Sequence, residues 1–560
     1  MVDERVSQLV SDLFTRRIDR RQFLQRATAL GLSSAFMTGM LRQAAAQGAA
    51  APPQVPPASS LIPSSPDIPY EGPVTKERVA YLKTNPYKGK TINVMVVEST
   101  VGDAVKYHAG HWEEETGAHV NVAEIPIETL HTQIFADLST GLGRYDAYQT
   151  ASWFAGDFFV PKTPYILPLA DFLKDPRYPF WDPGQELAPY VPLYAWQGVW
   201  YGATFDADAQ ILYYRQDIFD NPDNQKKFQD KMGYAFPNPP KTMKEMHDVA
   251  DFYTGWDWNG DGQNDWGIAL HAKVNEQGFF HFLTLAAPYV VSKDNPYFYF
   301  DPETMDPLIN SEGHVQALTD YAKFVNNGPK AMLSWTLGQG WNLFLAGHSV
   351  MEPTWGDLPT LAQDPTTSKV KGKVGATLIP GTDRAYDPIK KTWTSYPLNQ
   401  VGNVNGGTWH CVLSRLAKEK EAAYDFMAFM SNQKNEFFNI THGWTGVQPG
   451  VKYAFFPPAG TASVQDYVQQ GWDAHDAQAF VNGYYANLTL PLQQTYLQIP
   501  GSAEYWHELD VRVSAVLAGQ TQPKAALDDL ANVWNQITAR YGKENQIKIY
   551  QQSIGYQKQS

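Results

Sequence analysis

The stretch TINVMVVESTVGDAVKYHAGHWEEETGAHVNVAEI, residues 91–125, places a helical pattern between two apolar segments. Its first seven residues, TINVMVV, are almost all apolar, which is typical of a strand buried on both faces. Ala104, His108 and Trp112 then recur at helical spacing, Gly117 ends the helix, and HVNVAEI forms a second strand. Strand, helix and strand within about 35 residues make a βαβ unit. The sequence therefore predicts a parallel sheet and an α/β fold.

The loops that follow these strands are the first candidates for a binding cleft, because open α/β sheets bind ligands at the carboxyl ends of their strands. Glu98 ends the first strand, and Trp153 follows the strand-like segment YDAYQ, residues 145–149. A carboxylate buried at Glu98 would need a ligand hydroxyl or a helix amino terminus as its partner, and both choices stay open. We expect Glu98 and Trp153 to face the cleft.

Length, charge and cysteine content exclude several classes of protein. A chain of 560 residues exceeds one ordinary hydrophobic core, which favours at least two domains or lobes. The formal net charge of −14 repels phosphate backbones, so nucleic acid is not expected as a partner. Because Cys411 is the only cysteine, the chain has no intramolecular disulfide and no cysteine-based metal site.

Residues 1–46 follow the plan of a twin-arginine signal peptide. Arg20 and Arg21 precede an apolar run of about 14 residues, and small residues end at Ala46. The run is too short for a spanning helix, and a structural amphipathic helix is the alternative. We expect export by the twin-arginine translocase, cleavage near Ala46, and a periplasmic protein without a lipid anchor. Residues 47–90, which are rich in Pro and Ser, are typical of a linker or a surface strap.

Seven segments stand in the order of a known family. They are YDAYQTASWFAGDFF, GVWYGATFDADAQILYYRQDIFDN, PPKTMKEMHDVADF, WNLFLAGHSVMEPTW, VGATLIPG, GGTWHCVLSRLAKEKEAAYDFMAFM and QPKAALDDLANVWNQI. On these segments the chain resembles the extracellular solute-binding proteins of carbohydrate-type ABC importers, the group that includes maltose-binding protein. The resemblance runs from about residue 91 to the carboxyl terminus.

The resemblance implies a type II periplasmic binding protein fold, in which two lobes, each a mostly parallel sheet flanked by helices, are joined by hinge strands. Residues 91–206 plus 377–441 would form lobe I, and residues 207–376 plus 442–560 would form lobe II. It also implies a monomer that is not an enzyme. Such a protein closes on a sugar, oligosaccharide or polyol and delivers it to an inner-membrane ABC permease.

Sugars and polyols present hydroxyl groups and an apolar C–H face, so their sites combine carboxylates with aromatic rings. The resemblance implies a ligand-binding carboxylate at Asp208, and Asp206 lies two positions earlier on the same strand face. It also implies a stacking ring at Trp355, with Asp357 beside it as a hydroxyl acceptor. The remaining candidates are Trp409, after two glycines, and Trp444, in the loop THGWTGVQPG. Hinge-pairing aspartates and core tryptophans are the alternatives.

Two other functions stay open at this point. A secreted glycoside hydrolase would need two carboxylates across a scissile bond. A binding protein for a glycerol phosphoester or another small anion would need basic side chains in the cleft, for which Arg144 and Arg215 are the candidates.

The segment DWNGDGQNDWG, residues 257–267, spaces oxygen atoms as a calcium-binding loop does. The predicted ligands are the side chains of Asp257, Asn259, Asp261 and Asp265 and the carbonyl group of Gln263. Ile268 replaces the bidentate Glu of the twelfth position, so another group would have to complete the shell. A water-filled turn is the alternative. No nucleophile or general base accompanies the loop, and we therefore expect a structural Ca²⁺.

Overall fold

The structure is a computed structural model that describes residues 75–161, 164–442 and 445–557. The predicted signal peptide, most of the predicted linker and Trp444 lie outside the described residues. None of the described helices is long and apolar enough to cross a bilayer.

Short strands and many helices make up the described chain. The strands are β1 (Thr91–Val97), β2 (His119–Ile125), β3 (Ala147–Thr150), β4 (Ala195–Trp196), β5 (Val199–Trp200), β6 (Gly202–Ala203), β7 (Ile211–Arg215), β8 (Met351–Thr354), β9 (Val374–Thr377), β10 (Thr382–Asp387), β11 (Thr392–Asn399) and β12 (His410–Leu413).

The α-helices are α1 (Lys76–Leu82), α2 (Thr100–Thr116), α3 (Ile127–Ser139), α4 (Ala155–Phe158), α5 (Ala170–Leu173), α6 (Val191–Tyr194), α7 (Gln216–Phe219), α8 (Pro222–Met232), α9 (Met243–Tyr253), α10 (Phe279–Val290), α11 (Glu312–Lys323), α12 (Leu337–Leu345), α13 (Asp357–Leu361), α14 (Lys420–Ser431), α15 (Gln433–Thr441), α16 (Val464–Gln469), α17 (Ala474–Leu488), α18 (Ser502–Leu517), α19 (Pro523–Tyr541) and α20 (Lys543–Ser553). Short 3₁₀ helices lie at Ser152–Phe154, Pro183–Gln185, Phe324–Asn326, Lys330–Ser334 and Lys452–Ala454.

The first sheet has the strand order β2-β1-β3-β12-β6. Its strand β1 pairs in parallel with both β2 and β3, so the predicted βαβ unit is confirmed. Strand β12 pairs antiparallel with β3 and β6. Helix α2 ends at Gly117, whose φ of 69° is a left-handed conformation that glycine adopts without a steric penalty.

The second sheet has the order β8-β7-β9, and both of its pairings are antiparallel. The expectation of a mostly parallel sheet in each lobe is therefore wrong for this sheet. Strand β7 is separated from both of its partners by helices α7 to α12, and β8 and β9, which are joined through the short helix α13, lie on either side of it. Neighbouring strands are parallel where a crossover returns the chain in the same direction, as α2 does between β1 and β2.

The two sheets with their helices form two α/β lobes, as predicted. The chain passes from β6 of the first sheet to β7 of the second through residues 204–210 and returns to the first sheet at β12. The predicted lobe boundaries stay a prediction.

Two packing features outside the sheets matter for the site. Helix α10 is buried along its whole length and packs against α11, α18 and β10. Helix α1 is anchored by buried Arg78, whose guanidinium contacts the carboxylates of Asp425 and Glu115. Asp425 also accepts a hydrogen bond of 2.9 Å from the Trp112 indole of α2, so the start of the described chain is tied to the first lobe.

Candidate functional site

Two of the predicted aspartates are hydrogen-bonded to one glutamine, and a third interacts with both. The backbone N–H of Gln448 donates to Asp206 Oδ1 at 2.9 Å, and its side-chain amide Nε2 donates to Asp357 Oδ2 at 2.7 Å. The carboxyl group of Asp208 interacts electrostatically with both other carboxyl groups. The exposed fractions of Asp206, Asp208 and Asp357 are 2%, 5% and 7%. We call these three aspartates together with Gln448 the acidic cluster.

Backbone contacts between distant segments position the acidic cluster. Asp206 and Asp208 lie in the connection between β6 and β7, and the Asp206 N–H donates to the carbonyl of Trp409 at 3.0 Å. The Thr408 N–H donates in turn to Asp208 Oδ2 at 2.7 Å. A Cβ at Gly406 would lie 2.3 Å from the Asp208 Cβ, so only glycine allows the loop to approach this closely.

Aromatic rings from both lobes pack beside the acidic cluster. The Trp355 ring stacks on His271 at 5.4 Å, and its indole N–H donates to the carbonyl of Asn405 at 2.7 Å. Trp153 contacts Trp409 edge to face at 5.9 Å and Phe280 at 5.7 Å. The Phe280 ring also meets Trp355 edge to face at 6.0 Å. We call Trp153, Trp355, Trp409 and Phe280 the aromatic cluster.

Several buried polar atoms of this region form no hydrogen bond with the described residues. They are Asp206 Oδ2, Gln448 Oε1 and Thr408 Oγ1. Buried polar groups are normally hydrogen-bonded, so such atoms at one place call for an explanation. Gln448 Oε1 can only accept, and Asp206 Oδ2 accepts when its carboxyl group is ionised, which suits a ligand that donates hydrogen bonds.

Burial changes the protonation of the side chains around the site. It raises the pKa of Asp208 to about 7. Burial, followed by the neighbouring carboxyl groups, also raises the pKa values of Asp206 and Asp357 well above the ordinary range. Burial lowers the pKa of His281 to about 3 and that of His271 well below its usual value. The two imidazoles are therefore neutral at pH 7.

Comparison with known proteins identifies this arrangement. The sequence profile of a family described as bacterial extracellular solute-binding protein matches residues 111–469. The chain belongs to this family. The membership confirms the prediction that this solute-binding protein is not an enzyme. Among curated proteins, no sequence matches it.

Solved structures share the fold of this solute-binding protein at low sequence identity. One is an ABC transporter solute-binding protein from Agrobacterium radiobacter K84 in complex with ribitol, at 21% identity and a TM-score of 0.62, covering 81% of this chain and 100% of that one. Another, from Agrobacterium vitis S4, holds D-mannitol, at 20% identity and a TM-score of 0.61, covering 81% and 99%. The maltose-bound MalE3 of T. maritima has 17% identity and a TM-score of 0.57, covering 80% and 100%. These matches confirm the two-lobed fold.

The remaining predicted binding residues are exposed, paired elsewhere or outside the described residues. Glu98 is exposed after the end of β1 and is therefore not a buried carboxylate. Trp444 lies outside the described residues. Arg144 pairs with Asp137, and Arg215 pairs with Asp217. Neither arginine is among the groups that shift the pKa values of the clustered aspartates.

Sequence reasoning missed three residues of the site: Gln448, Thr408 and Phe280. A signal was present for Gln448 and Thr408, because each lies within four residues of a tryptophan that was predicted. Phe280 reads as an ordinary core residue of α10, and only its ring contacts with Trp153 and Trp355 reveal its position.

The predicted calcium loop folds around its own acidic side chains. The Asp257 carboxylate accepts from the N–H groups of Gly260, Asp261 and Gly262. Asp265 is fully buried and accepts from Asn259 Nδ2 at 3.0 Å. Most of the atoms that these side chains could offer to a metal are oxygens, the ligand type that Ca²⁺ prefers.

A histidine from a distant part of the chain also lies next to the loop. His348 lies with Nδ1 2.8 Å from Asp265 Oδ1 and Nε2 3.6 Å from Asp261 Oδ2. Donor atoms of Asp261, Asp265 and His348 all lie within 4.8 Å of one another. Ile268, at the twelfth position of the calcium pattern, is buried and offers no ligand.

The raised pKa of Asp208 predicts a pH dependence of stability. Its folded value is about 7 against an ordinary 3.8, so the folded chain retains a proton that the unfolded chain has lost between these values. This stabilisation is fully present below the unfolded pKa and is lost as the pH rises through the folded one. We expect the Tm of the solute-free protein to fall from about pH 4 to about pH 7.

Replacement of one side chain isolates the contribution of Asp208. The stability of the variant Asp208→Asn should depend less on pH, because the variant lacks this titrating carboxyl group. One such group changes the free energy of unfolding by up to about 1.4 kcal/mol per pH unit. Differential scanning calorimetry across the pH range measures the slope, with Asp230→Asn on the exposed face of α8 as the control. An unchanged slope in Asp208→Asn contradicts the prediction.

Proposed function

We propose that this protein binds a sugar, an oligosaccharide or a polyol between its two lobes in the periplasm and delivers it to the permease of an ABC importer. One observation carries the proposal: unpartnered, buried hydrogen-bond acceptors of the acidic cluster lie beside the aromatic cluster. Hydroxyl groups of such a solute donate to the acceptors, and its C–H face packs on the rings.

The structural relatives support this choice of solute class. Their complexes contain ribitol, D-mannitol and maltose, which are polyhydroxylated and uncharged. The alternative of a phosphorylated or other anionic solute has no support among the described residues, because Arg144 and Arg215 pair with aspartates elsewhere. A glycoside hydrolase is not supported either, since the family consists of binding proteins.

A thermal-shift screen tests the proposal. The panel contains monosaccharides, oligosaccharides, polyols and glycerol phosphates, and a bound solute raises the Tm in proportion to its concentration and affinity. We expect a neutral or donor-rich polyhydroxylated solute to raise the Tm and to be recovered unchanged. Conversion of the solute to products, or a response to glycerol phosphates alone, contradicts the proposal.

A variant of Trp355 tests whether the aromatic cluster binds the solute. Truncation in Trp355→Ala removes the ring beside the acidic cluster and should weaken binding by about 2 kcal/mol or more. Isothermal titration calorimetry measures the loss, and Trp393→Ala on the β10–β11 ribbon is the matched control.

We also propose that residues 257–265 bind a structural Ca²⁺. Asp257, Asn259, Asp261 and Asp265 would hold it, with the Gln263 carbonyl. The bound cation would neutralise the carboxylates and stiffen the loop.

Removal of the cation should destabilise the protein. We expect a chelator to lower the Tm, Ca²⁺ to restore it, and Asp261→Asn to abolish the response, with Asp230→Asn unaffected. Because His348 brings a nitrogen donor that suits zinc better than calcium, Zn²⁺ is titrated in parallel. A stronger response to Zn²⁺ contradicts the choice of calcium, and an unchanged melt with no metal in elemental analysis contradicts any ion.

Finally, we propose that the precursor is exported folded by the twin-arginine translocase, is cleaved near Ala46 and acts as a monomer. The support is the sequence pattern around Arg20 and Arg21 and the extracellular family. Replacement of both arginines by lysine should retain the precursor in the cytoplasm, whereas Arg26→Lys should not. Cell fractionation measures this, and a doubly substituted precursor that still reaches the periplasm contradicts the proposed route.

A further inference from the structure

The site offers a solute many hydrogen-bond acceptors and few donors. The Trp355 indole N–H is used by the Asn405 carbonyl, and the amide Nε2 of Gln448 donates to Asp357 and to the Gly446 carbonyl. The Thr408 N–H is likewise used by Asp208. The acceptors Asp206 Oδ2 and Gln448 Oε1, in contrast, have no partner among the described residues. The unpartnered Thr408 Oγ1 can donate or accept. With the carboxyl groups ionised, the remaining unpartnered atoms accept, and they suit a solute that supplies donors.

The acidic cluster also lacks a positive charge. All the hydrogen-bond donors to its three carboxyl groups are backbone N–H groups or the Gln448 amide, which are neutral. No Lys or Arg among the described residues forms an ion pair with any of the three. The two histidines beside Trp355 are buried and neutral, because burial lowers the pKa of each imidazole. Buried carboxylates are stable when a cation pairs with them.

The aromatic cluster lies directly beside the acidic cluster. Trp355 and Asp208 approach the same glycine: a Cβ at Gly406 would be 2.5 Å from Trp355 Nε1 and 2.6 Å from Asp208 Cγ. A group that reaches the Asp208 carboxylate therefore lies next to the Trp355 indole, and the rings of the cluster offer apolar surface to a carbon chain.

We propose that the solute is a hydroxylated primary amine, such as an amino polyol or an amino sugar with a free amino group. Its ammonium group lies among Asp206, Asp208 and Asp357, and its carbon chain packs on the aromatic cluster. This inference rests on the proposed function and narrows its solute class to sugars and polyols that carry a free amino group.

The test compares solutes that differ in one group. Isothermal titration calorimetry with the purified protein uses 1-amino-1-deoxysorbitol, its N-acetyl derivative and sorbitol at neutral pH. We expect the amine to bind on the order of 10- to 100-fold more tightly than sorbitol, the range for one charged hydrogen bond. The N-acetyl derivative, which has lost the charge, should not bind more tightly than sorbitol.

A second readout follows from the protonation of the carboxyl groups. Because their pKa values are raised in the absence of a cation, an ammonium group that binds among them displaces protons. The binding enthalpy of the amine should therefore change between buffers of different ionisation enthalpy, whereas that of sorbitol should not. A buffer-independent enthalpy for the amine contradicts its placement among the carboxyl groups.

Variants separate this inference from a general loss of folding. Asp357→Asn should lose most of the preference for the amine over sorbitol, and Asp208→Asn is a second variant if the first does not fold. Asp510→Asn replaces another buried carboxyl group, which accepts from the Asn275 N–H outside the site, and should retain the preference.

The outcomes distinguish the inference from the proposed function. Equal or tighter binding of sorbitol overturns the cationic solute and leaves the proposed function standing. No binding of any of the three solutes, together with no hit in the thermal-shift panel, overturns both. A preference for the amine that persists in both Asn variants overturns the assignment of the ammonium group to the acidic cluster.

Discussion

The burial of three carboxyl groups without a cationic partner is the constraint on which the rest of the site depends. Such burial is costly unless hydrogen bonds compensate for the lost water. The compensating N–H groups come from Gln448 and from the backbone of residues 407–408, which belong to segments far apart in the chain. These segments must therefore approach the aspartates closely, and glycine at position 406 is what allows the approach.

The same contacts join the two lobes. A Cβ at Gly446 would lie 2.5 Å from Thr100 Oγ1, at the start of α2, and 2.8 Å from Asp357 Oδ1, at the start of α13. Helix α2 belongs to the first lobe, and α13 follows β8 of the second. A solute that binds to the acidic cluster therefore touches the surfaces that separate when the lobes open. It shifts the equilibrium towards closure by as much as its affinity for the closed form exceeds that for the open form.

Local patterns in the sequence predicted much of the fold and part of the site. The βαβ unit could be predicted because its signals lie within one short stretch, and Asp206 and Asp208 because they alternate along one segment. Gln448 could not be predicted, because its role depends on a contact with Asp206, which lies about 240 residues earlier in the chain. The strand directions of the second sheet were mispredicted for the same reason: β7 meets β8 and β9 only after helices α7 to α12, and no local pattern records their relative direction.

The acidic loop and the solute site are formed by different segments of the sequence, yet the fold connects them. The loop ends at Gly267, and the Ala269 N–H then donates to the Met351 carbonyl of β8 at 2.9 Å, which fixes the register of the two segments. His271 follows the first segment and Trp355 follows the second, and the two rings stack at 5.4 Å. An ion in residues 257–265 would therefore act on solute affinity without touching the solute. It would hold the segment that places His271 under Trp355, and so reduce the free energy needed to order the aromatic cluster on binding.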